Sequence, residues 1–259
     1  MNAAGELGLK VVLTPVLVGA ASLAGRRWGP AISGWLIGIP FTSGPIAFFL
    51  ALDPGGRFAQ DTAAGIMAGA VSQAVFCLGY AWAAQRWSWP GAMAAATAAF
   101  AISTVILSLV ELEAAAFFVV IIVAIVVAMF LMPFAAARET ERIDYPRWDL
   151  PARMAVATVF VIALTSLAPL LGARLAGLLA PFPLYASVLA AFAHHAQGRD
   201  AAVGVLRGLL LGLFAFASFF LVVALLLPAG VAVAFAAAIA AALVVQAATL
   251  LAGHRFGLA

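Results

Sequence analysis

The fold is decided by two stretches, PAISGWLIGIPFTSGPIAFFLAL at residues 30–52 and ARLAGLLAPFPLYASVLAAFAHH at residues 173–195. They coincide without a gap when the chain is aligned with itself at an offset of 143 residues. The matches that composition bias explains least are Gly29 with Gly172, Gly34 with Gly177, Pro40 with Pro183, Phe49 with Phe192, Gly55 with Gly198, Gly65 with Gly208, Gly69 with Gly212 and Phe76 with Phe219. The chain is therefore predicted to contain two copies of one unit.

The composition assigns both copies to a lipid environment. Hydrophobic residues make up 66% of the chain and charged residues 9%, whereas a soluble domain has about 25% charged residues. Long runs of Ala, Gly and Leu without strand-like alternation favour helices over a barrel. The net charge of +3 comes from arginines in loops, so the bilayer is the expected surroundings and no nucleic-acid surface is indicated.

Apolar runs bounded by charge, Pro or Gly predict an all-α, polytopic protein with about nine transmembrane helices. The predicted helices span approximately residues 9–25, 30–52, 61–84, 91–110, 113–134, 152–170, 173–195, 204–227 and 230–252. Residues 1–112 form the first repeat (helices 1–4), 113–150 contain helix 5 and a cytoplasmic loop, and 151–259 form the second repeat (helices 6–9). Because helix 5 adds one crossing, the second repeat is expected to be inverted.

The distribution of positive charge predicts the orientation. With the N-terminus outside and the C-terminus in the cytoplasm, ten basic residues of the 13 lie on the cytoplasmic side. The external three are Lys10, Arg57 and Arg174. The expected location is a bacterial inner membrane.

Helices 2 and 7 are predicted to be broken near the bilayer centre, because each carries two prolines there. Hydroxyl groups and freed amides at paired breaks would form a solute site, and each half-helix that begins there favours an anionic group. Symmetric polar residues of helices 4 and 9 are added as candidates. The candidate substrate-binding residues are Pro40, Thr42, Ser43, Gly44, Pro183, Tyr185, Ser187, Ser103 and Gln246. Simple proline kinks, with hydroxyls bonded to their own helices, are the alternative.

Several classes of function are not indicated. No Asp or Glu falls well inside a predicted span, which argues against a cation pathway. No paired acid, metal-ligand cluster or nucleophile beside a base appears at membrane depth, so no enzyme, metal or cofactor is predicted. Lys10 and Arg153, at equivalent helix starts, are expected to extend to the interface or to attract an anion. Gly65/Gly69 and Gly208/Gly212 predict close helix packing, with a homodimer face as the alternative.

The four-plus-five arrangement, with an external N-terminus, two equivalent halves and mid-membrane breaks, resembles the bile-acid sodium symporter group. This resemblance implies organic-anion transport through a crevice where two broken helices cross. No acidic pair or Asn/Gln cluster matches the sodium sites of that group, so no site residue is carried over. The stretches GWLIGIPFTSGP (34–45) and LAGLLAPFPLYASVLAAF (175–192) also look like those of uncharacterised bacterial membrane proteins.

The function predicted from these features is secondary transport of a small anionic or amphipathic organic solute. The alternative is a membrane component that does not transport, such as a lipid-binding or scaffolding subunit of a larger assembly.

Overall fold

The computed structural model describes residues 3–38, 40, 43, 56–110, 112–133, 147–159, 162 and 181–255. For residues 3–11, 13, 14, 17, 25, 56–64, 254 and 255 it describes the backbone alone. The described helices are α1 (Ala3–Trp28), α2 (Pro30–Ile37), α3 (Gly56–Ala83), α4 (Trp89–Ser108), α5 (Ala114–Leu131), α6 (149–159), α7 (Leu184–Gln197), α8 (Arg199–Leu226) and α9 (Val231–Arg255). A short 3-10 turn, Leu227–Ala229, links α8 to α9. No strand occurs in the described ranges, which are all-α.

Five of these helices are long and apolar enough to cross a membrane, as judged by length and composition. They are Gly65–Ala83, Trp89–Ser108, Ala114–Leu131, Arg199–Ala229 and Val231–Gly253. At about 1.5 Å per residue, even the 18 residues of α5 reach about 27 Å, close to the hydrocarbon thickness of a bilayer. These helices indicate a membrane protein.

Helices α3 and α8 form the centre of the bundle. Their spanning segments are 72% and 67% buried, whereas those of α4, α5 and α9 are only 22–28% buried. Helix α8 packs against α2, α3, α5, α7 and α9. The outer helices turn large apolar side chains outward, including Val105, Phe130 and Val244. Exposed apolar faces on this scale suit contact with lipid rather than with water.

Helices α2 and α8 cross with their backbones almost touching. A Cβ added to Gly34 would collide with the Val205 carbonyl, and one added to Gly208 would collide with the Ala31 carbonyl. Further along the crossing, a Cβ on Gly212 would lie 2.6 Å from the Gly38 Cα. Glycine is required at this crossing because no other residue permits so close an approach.

Polar contacts gather the ends of several helices at one end of the bundle, which we call the arginine-bearing end. The Arg26 guanidinium at the end of α1 lies 2.7 Å from a carboxylate oxygen of Asp149 at the start of α6. Arg199, at the start of α8, donates to the carbonyl of Gln85 between α3 and α4. Arg207, about two turns further along α8, donates to the carbonyls after α5 at 3.2 and 3.1 Å.

Candidate solute site at two helix breaks

The first break follows α2. The helix ends at Ile37, where the Gly38 amide donates to the carbonyls of Gly34 and Trp35 at 3.3 and 3.2 Å. Pro40 is buried and not helical, and Ser43 is helical again and only 2% exposed. A proline has no amide proton, which explains why the helix does not continue through Pro40. The other two candidates of this segment, Thr42 and Gly44, lie outside the described residues.

Helix α9 supplies a polar contact to this helix end. The Gln246 side-chain amide nitrogen donates to the Trp35 carbonyl at 2.9 Å. Trp35 in turn donates from its indole nitrogen to the Thr249 hydroxyl, one turn along α9, at 3.2 Å. The Gln246 side-chain oxygen is buried and accepts no hydrogen bond. Gln246 therefore lies at the end of α2 and keeps a spare acceptor there.

The second predicted break lies directly before α7, and the residues of that predicted helix before Pro181 are outside the described ranges. Pro181 lies in a turn, Phe182 and Pro183 are not helical, and α7 begins at Leu184. The first turn of α7 is buried. Each of its four residues, Leu184 to Ser187, exposes at most 9% of its surface. The Leu184 amide donates to the Phe182 carbonyl and the Ser187 amide to the Pro183 carbonyl, each at 2.7 Å. A helix that begins inside the protein directs the positive end of its dipole toward the interior.

Ser187, in this first turn, has an unusual side chain. It is 5% exposed, and its Oγ is buried without a hydrogen-bond partner. A buried hydroxyl that lacks a partner costs about 1–3 kcal/mol. A group bound at this position would supply the partner that the Ser187 hydroxyl lacks.

The two breaks meet in one apolar cluster, the break cluster. Leu184, Tyr185 and Val188 of α7 pack with Val18 of α1, and Ile37 at the end of α2 packs against them. The interface between α2 and α7 thus contains the end of one helix and the start of the other. Both breaks lie inside the bundle. The eight residues of α2 place the first break about 12 Å from the arginine-bearing end, and the 14 residues of α7 place the second about 20 Å from it.

Phe182 anchors the second break to the rest of the bundle. Its ring meets the ring of Phe100 in α4 edge-on, with centroids 5.0 Å apart, and that of Phe76 in α3 at 5.9 Å. Edge-to-face pairs of this kind add about 0.5–1.5 kcal/mol each beyond the area they bury. The non-helical segment is thus held in one position by aromatic contacts.

Ser103, the remaining candidate, lies away from the break cluster. Its hydroxyl accepts from the Ser72 hydroxyl at 3.2 Å, and the Thr104 hydroxyl donates to Ser72 at 3.0 Å. These bonds join α3 to α4. Gln246 and Ser103 are thus not brought together, and Ser103 takes part in a hydrogen bond between helices.

Sequence reasoning missed an ion cluster at the arginine-bearing end. Asp149 accepts from Arg26 at 2.7 Å and lies 2.9 Å from Arg153, and these two basic residues are 127 positions apart. Arg153 is 6% exposed and its guanidinium lies over the Phe192 ring at 4.8 Å, so its expected extension to the interface is wrong. The local signal was the spacing of four residues between Asp149 and Arg153 at a helix start.

Titratable groups elsewhere are dispersed. In the described part of the chain, no three His, Cys, Asp or Glu side chains come together in a way that would hold a metal ion. His194 instead shares a hydrogen bond with the hydroxyl of Tyr80 at 3.2 Å, which joins the ends of α7 and α3.

A comparison of the chain with known protein families, curated proteins and solved structures finds no match in any of the three. The chemistry of the break cluster therefore carries the functional argument alone.

Proposed function

We propose that the protein is a secondary membrane transporter for a small anionic or amphipathic organic solute, which binds at the paired helix breaks. The observation that carries this proposal is the meeting of the end of α2 with the buried start of α7, where the Ser187 hydroxyl has no partner. Irregular backbone at membrane depth is tolerated beside protein or a wet cavity, and transporters use such breaks to bind solutes.

The preference for an anion follows from the charges around the breaks. The start of α7 offers the positive end of its helix dipole. Within the five candidate spans, the acidic residue is Asp200 in the first turn of α8, remote from the breaks in sequence. An anionic group bound at the start of α7 would therefore meet the positive end of the dipole without an opposing carboxylate from the described spans near it.

The helix contacts support an inverted repeat. Phe100 of α4 contacts the break before α7, and Gln246 of α9 contacts the break after α2, so the last helix of each proposed repeat touches the break of the other. Helix α5 packs against both α3 and α8, which are equivalent in the 143-residue alignment. An inverted repeat would provide two conformations that are related by exchange of the halves, as alternating access needs.

The proposed orientation has the arginine-bearing end in the cytoplasm and the N-terminus outside, in a bacterial inner membrane. Exposed tryptophans near this end support an interface there, since aromatic residues collect at headgroup level. They are Trp28, Trp82, Trp87, Trp89 and Trp148. The coincidence of arginines and tryptophans at one end is typical of a cytoplasmic membrane surface.

A thermal-stability screen tests the proposal. Purified protein is heated with each of a set of organic anions, with and without sodium and at two pH values. A bound solute at 100 times its Kd stabilises by about 2.7 kcal/mol, which is about 5–11 °C in Tm for a chain of this size. Vesicles containing the protein then test whether the stabilising solute crosses the membrane.

Ser187→Ala identifies the site, with Ser218→Ala as the matched control, because the Ser218 hydroxyl is satisfied by the Phe214 carbonyl of its own helix. We expect Ser187→Ala to raise Tm without solute, because it removes an unpaired buried hydroxyl, and to lose most of the solute shift. Ser218→Ala should keep the shift. A screen without any stabilising anion, together with stabilisation by lipids or a co-purifying protein, would favour the lipid-binding or scaffolding component instead.

A further inference from the structure

A polar cleft opens near the arginine-bearing end, separate from the break cluster. Its polar lining is Ser22 and Arg26 of α1, Ser33 of α2, Arg153 of α6 and Gln197 of α7, and apolar residues of α2, α7 and α8 complete the wall. Counting its open mouth, this arginine cleft has an empty volume of about 300 Å³.

The positive charge of the lining favours an anionic ligand. The described lining contains two guanidinium groups and no carboxylate. Asp149 contacts both guanidiniums from outside the lining, at 2.7 Å from Arg26 and 2.9 Å from Arg153, and so fixes their positions. The Phe192 ring supports Arg153 from another side. Planar guanidinium groups held in this way match the paired oxygens of carboxylate and phosphate.

A buried hydroxyl in the lining points to a ligand independently of the arginines. Ser22 is 3% exposed, and its Oγ is screened from solvent without a hydrogen-bond partner. An unpaired buried hydroxyl is costly unless something accepts its proton or donates to it. A bound oxyanion would accept a hydrogen bond from the Ser22 hydroxyl and so supply its missing partner.

We propose that the arginine cleft binds an oxyanion, a carboxylate or phosphate group, between Arg26, Arg153 and Ser22. The group would belong to a soluble anion or to the headgroup of an anionic lipid at the membrane surface. This second site does not depend on transport through the break cluster. Ser33, in its lining, lies four residues before Ile37, so a bound anion would rest about one helical turn from the first break.

Inorganic phosphate is the probe for the soluble source. The full-length protein in neutral detergent is titrated with phosphate at constant ionic strength, and Kd is obtained from the shift of Tm. We expect Arg26→Gln to weaken phosphate binding about tenfold or more, since a hydrogen bond to a charged group contributes about that factor. Arg27→Gln is the matched control, because Arg27 lies outside the lining and its guanidinium is over the Trp28 ring. Equal Kd values for the two variants would overturn the proposal.

Ser22→Ala keeps the test independent of folding effects, because Arg26→Gln also removes an ion pair with Asp149. If the Ser22 hydroxyl binds the oxyanion, the alanine variant has a higher Tm without phosphate and a smaller phosphate shift. A variant that gains stability but keeps the full phosphate shift would contradict binding at Ser22.

Nanodiscs distinguish the two sources. The Tm of the wild type and of Arg26→Gln is compared in discs of phosphatidylcholine with and without phosphatidylglycerol. A stabilisation by phosphatidylglycerol that Arg26→Gln loses and Arg27→Gln keeps assigns the cleft to a lipid headgroup. Phosphate binding without any effect of phosphatidylglycerol assigns it to a soluble anion. If neither phosphate nor phosphatidylglycerol stabilises the wild type, the cleft is not an oxyanion site.

Discussion

The crossing of α2 and α8 gives the sharpest prediction, because the 143-residue alignment supplies its control. Gly208 and Gly65 occupy equivalent positions in that alignment. A Cβ on Gly208 would lie 2.7 Å from the Ala31 carbonyl carbon and 2.8 Å from the Trp35 amide nitrogen. A Cβ on Gly65 would meet nothing within 4 Å. The same substitution, Gly→Ala, should therefore have opposite effects at the two positions.

The magnitude follows from the contact distances. Comfortable separations begin at about 3.5 Å. The Ala31 carbonyl oxygen would lie nearer to the new Cβ than either of these two atoms, so Gly208→Ala must push α2 and α8 apart by well over about 0.7 Å. Overpacking costs about 1–3 kcal/mol, and alanine's better helix propensity offsets about 1 kcal/mol of that. Gly65→Ala keeps the propensity gain without the collision. The free energies of unfolding of the two variants should thus differ by about 1–3 kcal/mol.

Thermal unfolding of the purified variants in the same detergent measures this difference. At about 2–4 °C per kcal/mol for a chain of this size, Gly208→Ala should melt about 2–12 °C below Gly65→Ala. If the two variants melt at the same temperature, or Gly208→Ala melts above the wild type, the close crossing of α2 and α8 is refuted.

Two further substitutions test the polar contacts. Gln246→Leu removes the bond to the Trp35 carbonyl together with a buried unpaired oxygen. The free energy of unfolding should therefore change by less than about 1 kcal/mol, while the solute-induced shift of Tm becomes smaller. A large loss of Tm would assign Gln246 a purely structural role. Arg207→Met removes two hydrogen bonds to the carbonyls of Met132 and Pro133 and should lower the free energy of unfolding by about 2 kcal/mol. Arg207→Lys should recover part of that loss in the same unfolding assay, since a lysine retains the charge at the end of α5; no difference between Met and Lys would argue against the contact.

Helix boundaries are the part of the fold that the sequence predicts well. The predicted spans 61–84, 91–110 and 113–134 overlap α3, α4 and α5 closely, because charge, Pro or Gly interrupts each apolar run at its end. Helix α1 begins at Ala3, earlier than the predicted residue 9, because polar residues such as Glu6 and Lys10 do not interrupt helical backbone. Length and hydropathy predict the apolar segment, which is shorter than the helix.

Partners across the bundle are the part that sequence patterns do not predict. The Gly65/Gly69 and Gly208/Gly212 pairs have the same spacing, yet Gly208 packs against α2 and Gly65 has open space beside it. The spacing permits close approach and does not name the partner helix. Likewise, nothing local relates Arg26 to Asp149, 123 residues away, or Ser103 to Ser72. These pairings depend on how the helices are arranged, which the composition of each helix leaves open.

The tryptophans are unevenly distributed, so the two ends of the molecule contribute unequally to its intrinsic fluorescence. Five of the six tryptophans are exposed near the arginine-bearing end, so intrinsic fluorescence comes mainly from that end. The sixth, Trp35, is two residues from the end of α2, and its indole is bonded to α9. A variant with phenylalanine at the five surface positions would leave Trp35 as a single emitter beside the first break. Its emission would then follow events at the break without an added label.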